Sequence, residues 1–152
     1  MQKIRPFLWY DDQAEEAATF YVGIFGEDSR VGDVSRGEDG SARGVPFVLR
    51  GVEFVAFNGG PHFKFTPAAS LFVSCDSQAE VDYFWAKLSE GGEESRCGWL
   101  TDKFGLSWQI IPTVLPEMLD DPDDEKSDRV MQAMLQMSKI DVAALKAAYD
   151  GA

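Results

Sequence analysis

Phe7-Leu8-Trp9-Tyr10-Asp11-Asp12-Gln13-Ala14-Glu15, followed by Phe20 and Gly26, returns later in the chain as Phe72-Val73-Ser74-Cys75-Asp76-Ser77-Gln78-Ala79-Glu80, followed by Trp85 and Gly91. At one fixed offset Phe7/Phe72, Asp11/Asp76, Gln13/Gln78, Ala14/Ala79, Glu15/Glu80 and Gly26/Gly91 are identical, and Phe20/Trp85 are both aromatic. Each copy reads as a strand, a polar cap and a helix ended by glycine. Gly51-Val52-Glu53-Phe54-Val55 and Gly105-Leu106-Ser107-Trp108-Gln109 echo one another in pattern and close the two units. A repeat at fixed offset decides architecture before local propensity does. Two modules related by a pseudo-twofold axis tend to build one cleft between them, so function is expected where they meet.

Working outward, Ile4 to Tyr10 suits a buried strand. Asp11 or Asp12 then caps a helix, with Glu15 and Glu16 in its first turn, where acids favour the helix dipole. Ala14, Ala17, Ala18, Tyr21 and Phe25 fall near helical spacing. Arg30 to Ser35 reads as a strand, and Asp39-Gly40 as a hairpin turn. Val45–Leu49 and Val52–Phe57 are two more strands, meeting at Arg50-Gly51. Asn58-Gly59-Gly60-Pro61 is a hinge. The second copy reads as a strand over Ala69–Cys75, a helix over Gln78–Glu90, a short strand near Cys97–Thr101, a turn at Asp102–Gly105 and a strand over Leu106–Ile111. The order predicted is strand, helix and three strands, twice. Asp121-Pro122 reads as a helix start. The apolar stripe Val130, Met131, Met134, Leu135, Met137 follows, and Asp141 caps a last short helix. This tail is predicted to be an appended helical hairpin, packed within its own subunit or against a neighbour.

The 152 residues are 45% hydrophobic and 26% charged, enough for one ordinary domain with a core. Lys and Arg total 14 against 26 Asp and Glu, a net charge of −12. That field repels phosphate backbones and anionic lipid, so nucleic acid and membrane are not expected as partners. No apolar run has the length to cross a bilayer, the first residues lack the apolar region of a secretory signal, and two cysteines do not make a disulfide framework. A soluble cytoplasmic protein is expected.

Few residues carry chemistry. His62, the only histidine, is the residue type suited to a base or ligand role, but it follows Gly-Gly-Pro, where loops sit. Cys75 precedes a helix cap, a place where a thiol can become nucleophilic; the alternative is a small buried apolar residue. Glu53 alternates with Val55 on the side assigned to the cleft, opposite Phe54, as a general base would; a register shifted by one residue turns it to solvent instead. Of the aromatics, Phe7, Trp9 and Trp108 are assigned to the helix side, and Tyr10 and Trp99 to the cleft. The acidic run from Glu117 to Asp128 fails the EF-hand pattern. Counting from Asp120, its sixth and twelfth positions are Glu125 and Met131, where glycine and glutamate are needed.

Six stretches together resemble the glyoxalase/bleomycin-resistance, or vicinal-oxygen-chelate, superfamily, and within it the demethylubiquinone methyltransferase-like branch. They are Pro6-Phe7-Leu8-Trp9; Gln13–Ala17 with Phe20-Tyr21; Asn58-Gly59-Gly60-Pro61; Ser74-Cys75-Asp76; Gly98–Gly105 with Trp108-Gln109; and Val130-Met131 through Lys139-Ile140-Asp141. The resemblance implies an α+β fold: two tandem βαβββ modules forming a curled eight-stranded mixed sheet with a cleft, and usually a dimer. Module one is expected over residues 1–60, module two over 61–112 and the helical tail over 113–152, all in a single domain. Superfamily enzymes hold one divalent metal on the first and last strand of each unit. Those positions fall near Pro6, at Val55, at Ser70 or Leu71, and at Gln109. Only Gln109 is a ligand type, and one neutral amide is a weak one, so no metal and no cofactor are expected. Gly37, Gly40 and Gly44 lie in a hairpin rather than before a helix, which speaks against methyl transfer from S-adenosylmethionine.

The expectation is therefore a metal-free homodimer that binds a small, largely apolar molecule, with Tyr10, Glu53, Val55, His62, Cys75, Trp99 and Gln109 lining its cleft and no catalytic residue assigned. The alternatives are a metal-dependent lyase, isomerase or dioxygenase-type enzyme using Gln109, Glu53 and His62, and a non-catalytic structural or sequestering dimer.

Overall fold

Ala14, Ala17, Ala18 and Tyr21 lie along one stripe of helix α1 (Ala14–Phe25), and all four are fully buried. Small residues let the helix approach a sheet closely, while Tyr21, Ile24 and Phe25 fill what the alanines leave. The computed structural model describes residues 2–152. It divides into two compact units, one ending at Phe65 and one beginning at Thr66, five residues past the expected hinge boundary.

The first unit holds β1 (Phe7–Tyr10), α1, β2 (Arg30–Val31), β3 (Ser35–Arg36), β4 (Ala42–Leu49) and β5 (Val52–Asn58). The sheet order is β1-β5-β4-β2, with β3 also on β4. β1 runs parallel to β5, with Phe7 opposite Val55 and Trp9 opposite Phe57, and the other pairings are antiparallel. α1 packs on β4 and β5, where Phe47 and Phe54 stack at 5.1 Å. The β4–β5 turn has φ 48 at Arg50 and 84 at Gly51, the two positive values of a type I′ hairpin. Arg50 is held there by donating from Nε to the Phe25 carbonyl at 2.7 Å, which also ties down the end of α1.

Two expectations are corrected in this unit. The cap of α1 comes neither from Asp11 nor from Asp12. Gln13 is the N-cap residue without a side-chain bond, and the Ala14 N–H donates to Asn58 Oδ1 at 2.8 Å. The cap is thus supplied from the end of β5, which local sequence cannot disclose. The strand expected over Arg30–Ser35 is two pairs of residues, split where Gly32 packs against the Pro46 ring and donates to the Pro46 carbonyl at 2.7 Å.

The second unit holds β6 (Ser70–Cys75), α2 (Gln78–Ser89), β7 (Glu93–Glu94), β8 (Trp99–Thr101) and β9 (Ser107–Pro112), then α3 (Val114–Leu119), α4 (Asp124–Met134) and α5 (Val142–Asp150). The order is β6-β9-β8-β7, with β6 parallel to β9. Ser77 caps α2 by accepting from the Glu80 N–H, while Glu80 accepts from the Asp76 N–H, a reciprocal N-terminal arrangement. Val81, Phe84, Trp85 and Leu88 form its buried face.

The C-terminal helices form their own core of Ile111, Leu115, Val130, Ile140 and Leu145. They dock on their own unit. The Cys97 and Gly98 N–H groups donate to the Met137 and Ser138 carbonyls, each at 2.8 Å. Gly98 has φ 83, and a Cβ there would meet Ile111 Cδ1 at 2.7 Å. α3 was not expected, and α4 starts at Asp124 rather than after Asp121. Asp123 is its N-cap, accepting from the Glu125 and Lys126 N–H groups, while the Asp121 carboxylate is taken by the Asp123 N–H and the Tyr149 hydroxyl. Among the described residues, no helix is long and apolar enough to cross a membrane.

Candidate functional site

Side chains alternate along a strand, so each sheet has one face under its helix and one open face. In the first unit the helix face takes Leu8 and Tyr10 from β1 and Phe54 and Ala56 from β5, all buried. Tyr10 is 3% exposed, with its hydroxyl 3.0 Å from that of Tyr21 on α1. Tyr10 is therefore a core residue on the helix side, and Phe7 and Trp9 are on the open face, the reverse of the expected assignment. The cause is a one-residue difference in strand phase, which exchanges the two faces.

The open face of this sheet is aromatic. Phe7 is 59% exposed and lies 5.2 Å from Phe57. Trp9 meets Phe57 edge-on at 5.2 Å and Phe63 edge-on at 5.0 Å. Its indole N–H donates to the Gly60 carbonyl at 2.9 Å, and Gly59 packs directly against the ring, where a Cβ would overlap it. The Asn58–Pro61 segment thus fixes the indole in one orientation. Glu53 and Val55 share this face, opposite Phe54. The Glu53 carboxylate accepts the Gln2 backbone N–H, and Gln2 also bonds the Glu53 backbone in both directions. His62 is exposed on the loop that follows, with no hydrogen bond or ion pair among the described residues.

In the second unit Trp108 is buried on the helix side, and its N–H donates to Asp102 Oδ2 at 2.9 Å. Asp102, itself buried, also accepts from the Phe104 and Leu106 N–H groups, so it organises the turn into β9. The open face carries Trp99 and Phe72, both opposite Gln109 in register, and Phe72 is 54% exposed. Gln109 Nε2 donates to Ser70 Oγ at 3.0 Å.

Cys75 is fully buried at the end of β6. Burial, with the Glu80 and Asp76 carboxylates adding to it, pushes its thiol up to about 12. The reactive-thiolate reading is therefore wrong. The partial positive charge of the α2 N-terminus is already taken by Glu80, and desolvation outweighs what remains.

A groove of about 330 Å³ opens beside β8 in this unit, lined by Arg96, Cys97, Trp99, Thr101 and Ser107 among others. Sequence reasoning reached only Trp99 here. Arg96 reads as an ordinary solvated loop residue, and its one signal is a lone cation after Glu93-Glu94 in an acidic chain.

The residues at the superfamily's ligand positions do not fit a divalent ion. Pro6 and Val55 offer no side-chain donor atom, nor does Leu71, and Ser70, the alternative to Leu71, and Gln109 offer a neutral hydroxyl and amide already bonded to each other. Among the described residues, no three His, Cys, Asp or Glu side chains come together.

The family model for 3-demethylubiquinone-9 3-methyltransferase matches residues 2–111. The PhnB protein of Bacillus cereus, named for the same activity, is 34% identical, with 73% of this chain and 99% of that one covered and a TM-score of 0.68. A Pseudomonas aeruginosa protein matches at 19% identity, 74% and 98% coverage and a TM-score of 0.60. The fosfomycin resistance protein FosX of Listeria monocytogenes, solved with manganese(II) and sulfate, matches at 15% identity, 71% and 90% coverage and a TM-score of 0.54. The last two are likenesses of fold alone. A comparison with curated proteins gives no match. The chain belongs to the 3-demethylubiquinone-9 3-methyltransferase family within the glyoxalase/bleomycin-resistance superfamily. The family match ends at residue 111, so the resemblance drawn on Val130–Asp141 lies outside it, as do all three C-terminal helices.

Proposed function

We propose that this protein binds a small, largely apolar molecule without a metal, in a cleft lined by open-face aromatic residues. In this reading the units are tandem βαβββ modules, residues 1–60 and 61–112. Residues 113–152 are a helical tail on that single domain, and the protein works as a cytoplasmic homodimer. The two free cysteines suit a reducing compartment.

The observation that carries the reading is the chemistry of the open faces. Where the superfamily's metal ligands fall, this chain has Pro6, Val55, Ser70 or Leu71, and Gln109. Around those positions stand Phe7, Trp9, Phe57, Phe72 and Trp99, aromatic side chains that are exposed or partly so. Such a lining takes up apolar surface and leaves few polar groups to orient a ligand. Glu53, Gln109, Ser70, Thr101 and Ser107 are among the polar groups of these faces, and His62 lies on the loop after β5. The family's name does not carry methyl transfer to this chain. Gly37, Gly40 and Gly44 lie in or beside the β3–β4 hairpin, and the strand-to-helix turns Asp11–Gln13 and Asp76-Ser77 contain no glycine.

Elemental analysis beside native mass spectrometry of the purified protein tests the reading. Substoichiometric zinc, nickel, manganese and iron after dialysis without chelator is expected, together with saturable binding of an aromatic probe and no turnover. One tightly held ion per chain, or turnover that requires added metal, overturns it in favour of a lyase, isomerase or dioxygenase using Gln109, Glu53 and His62. A dimer that carries no ligand and binds no probe selects a structural role instead.

A further inference from the structure

The groove beside β8 combines an unpaired cation with hydroxyls on an aromatic wall. Among the described residues the Arg96 guanidinium forms no ion pair or hydrogen bond. Glu94, two residues before it, is occupied by the Trp85 indole N–H at 2.7 Å. Ser107 lines the groove, and its hydroxyl makes no hydrogen bond among the described residues, so its oxygen is open to solvent there and free to donate. Thr101 lies opposite it across the β8–β9 pair, and Trp99 is two residues along β8. A guanidinium presents its donors as a planar fork that fits an oxyanion. In a chain of net charge −12, distant charge repels an anion, so any anion held here is held by local contacts.

We infer that the apolar ligand carries an oxyanion group, a carboxylate, sulfonate or phosphate, that docks in this groove against Arg96, with Thr101 and Ser107 as hydroxyl donors. This rests on the cleft-binding reading above and adds the ligand's charge class and the residue that selects it.

Fluorescence titration with a matched pair of probes tests it. 1-Anilinonaphthalene-8-sulfonate and N-phenyl-1-naphthylamine share their rings, and only the first carries an anion. Arg96→Ala should raise the Kd for the sulfonate by about tenfold or more, the range for loss of a charge-assisted contact, and leave the neutral probe within about twofold. Arg96→Lys, which keeps the charge and loses the fork, should fall between. Arg43→Ala, which removes a cation from β4 of the first unit, should change neither. Equal effects of Arg96→Ala on both probes, or an effect of Arg43→Ala as large on the sulfonate, refutes the inference and leaves the cleft reading standing. Failure of both probes to bind the unaltered protein refutes the cleft reading, and the inference with it.

Discussion

The side chain of Gln78 grips the backbone on both sides of Asp141: its Nε2 donates to the Ile140 carbonyl at 3.0 Å, and its Oε1 accepts from the Val142 N–H at 2.7 Å. One residue at the start of α2 thereby fixes the entry of α5, a link across more than sixty positions of sequence. The Lys139–Asp82 pair beside it is about half exposed on both sides and adds little.

Replacing Gln78 by Ala removes both bonds and leaves the Val142 N–H to its own resources. A loss of about 1 to 2 kcal/mol is expected, read as a lower urea midpoint at unchanged m-value. Proteolysis should start within residues 135–142. An unchanged midpoint would show that the helices are held by their apolar core alone.

Local signals gave most of the strands, the helices other than α3 and the fixed-offset repeat, because Ala14, Ala17, Ala18 and Tyr21 at helical spacing and Asp39-Gly40 between extended runs have few other readings. What failed was phase and partnership. Tyr10 and Trp9 exchanged faces because β1 is only four residues long and apolar or aromatic throughout, so alternation gives no hydrophobic contrast to set its register. The Asn58 cap on α1 and the Gln78 clasp on α5 are long-range, and no local pattern encodes them. In the groove, Trp99 stood out by type. Arg96 and Ser107 did not, since an arginine and a serine acquire meaning only when the fold sets them along one groove.

Cys75 gives a pH prediction. Its thiol is held up to about 12 in the folded chain, against an ordinary value of 9.0. A raised folded value means that the neutral thiol is favoured. Its contribution is fully present below about pH 9 and is lost as pH rises toward 12. Stability should therefore decline across that window, and Cys75→Ala or Cys75→Val should flatten the decline. At pH 8 a thiol reagent should titrate one cysteine quickly, Cys97, and reach the second only on unfolding. Two fast thiols in the native protein would refute the burial argument.

Gly59→Ala tests whether the fixed Trp9 indole matters. The new methyl would overlap the Trp9 ring and press on Phe57, so the indole must turn and lose its bond to Gly60. A cost of about 1 to 3 kcal/mol is expected for such overpacking, with a changed near-ultraviolet dichroism. Under the proposed function the neutral naphthylamine probe should also bind more weakly, because a mobile ring forfeits preorganisation. Wild-type binding with a displaced Trp9 would remove this face from the ligand site.

Removing residues 121–152 separates two roles of the tail. Val130, Ile140 and Leu145 are fully buried, and their loss uncovers Ile111 and Leu115 on the parent unit. Each buried aliphatic side chain contributes about 1.5 to 3 kcal/mol, partly offset by the ordering entropy that the helices no longer lose. The truncated chain should melt roughly 5 to 15 °C lower and bind an apolar dye at the uncovered patch. Because the tail docks on its own unit through Cys97, Gly98 and Gln78, the proposed homodimer should be weakened through this destabilisation and not abolished. Sedimentation at micromolar concentration, well below the melting range of both forms, decides the matter. A monomeric full-length protein refutes the homodimer. A truncated protein that melts with the parent shows that the helical cluster is not part of the cooperative fold. A truncated protein that is stable yet wholly monomeric places the subunit contact on α4 and α5 themselves.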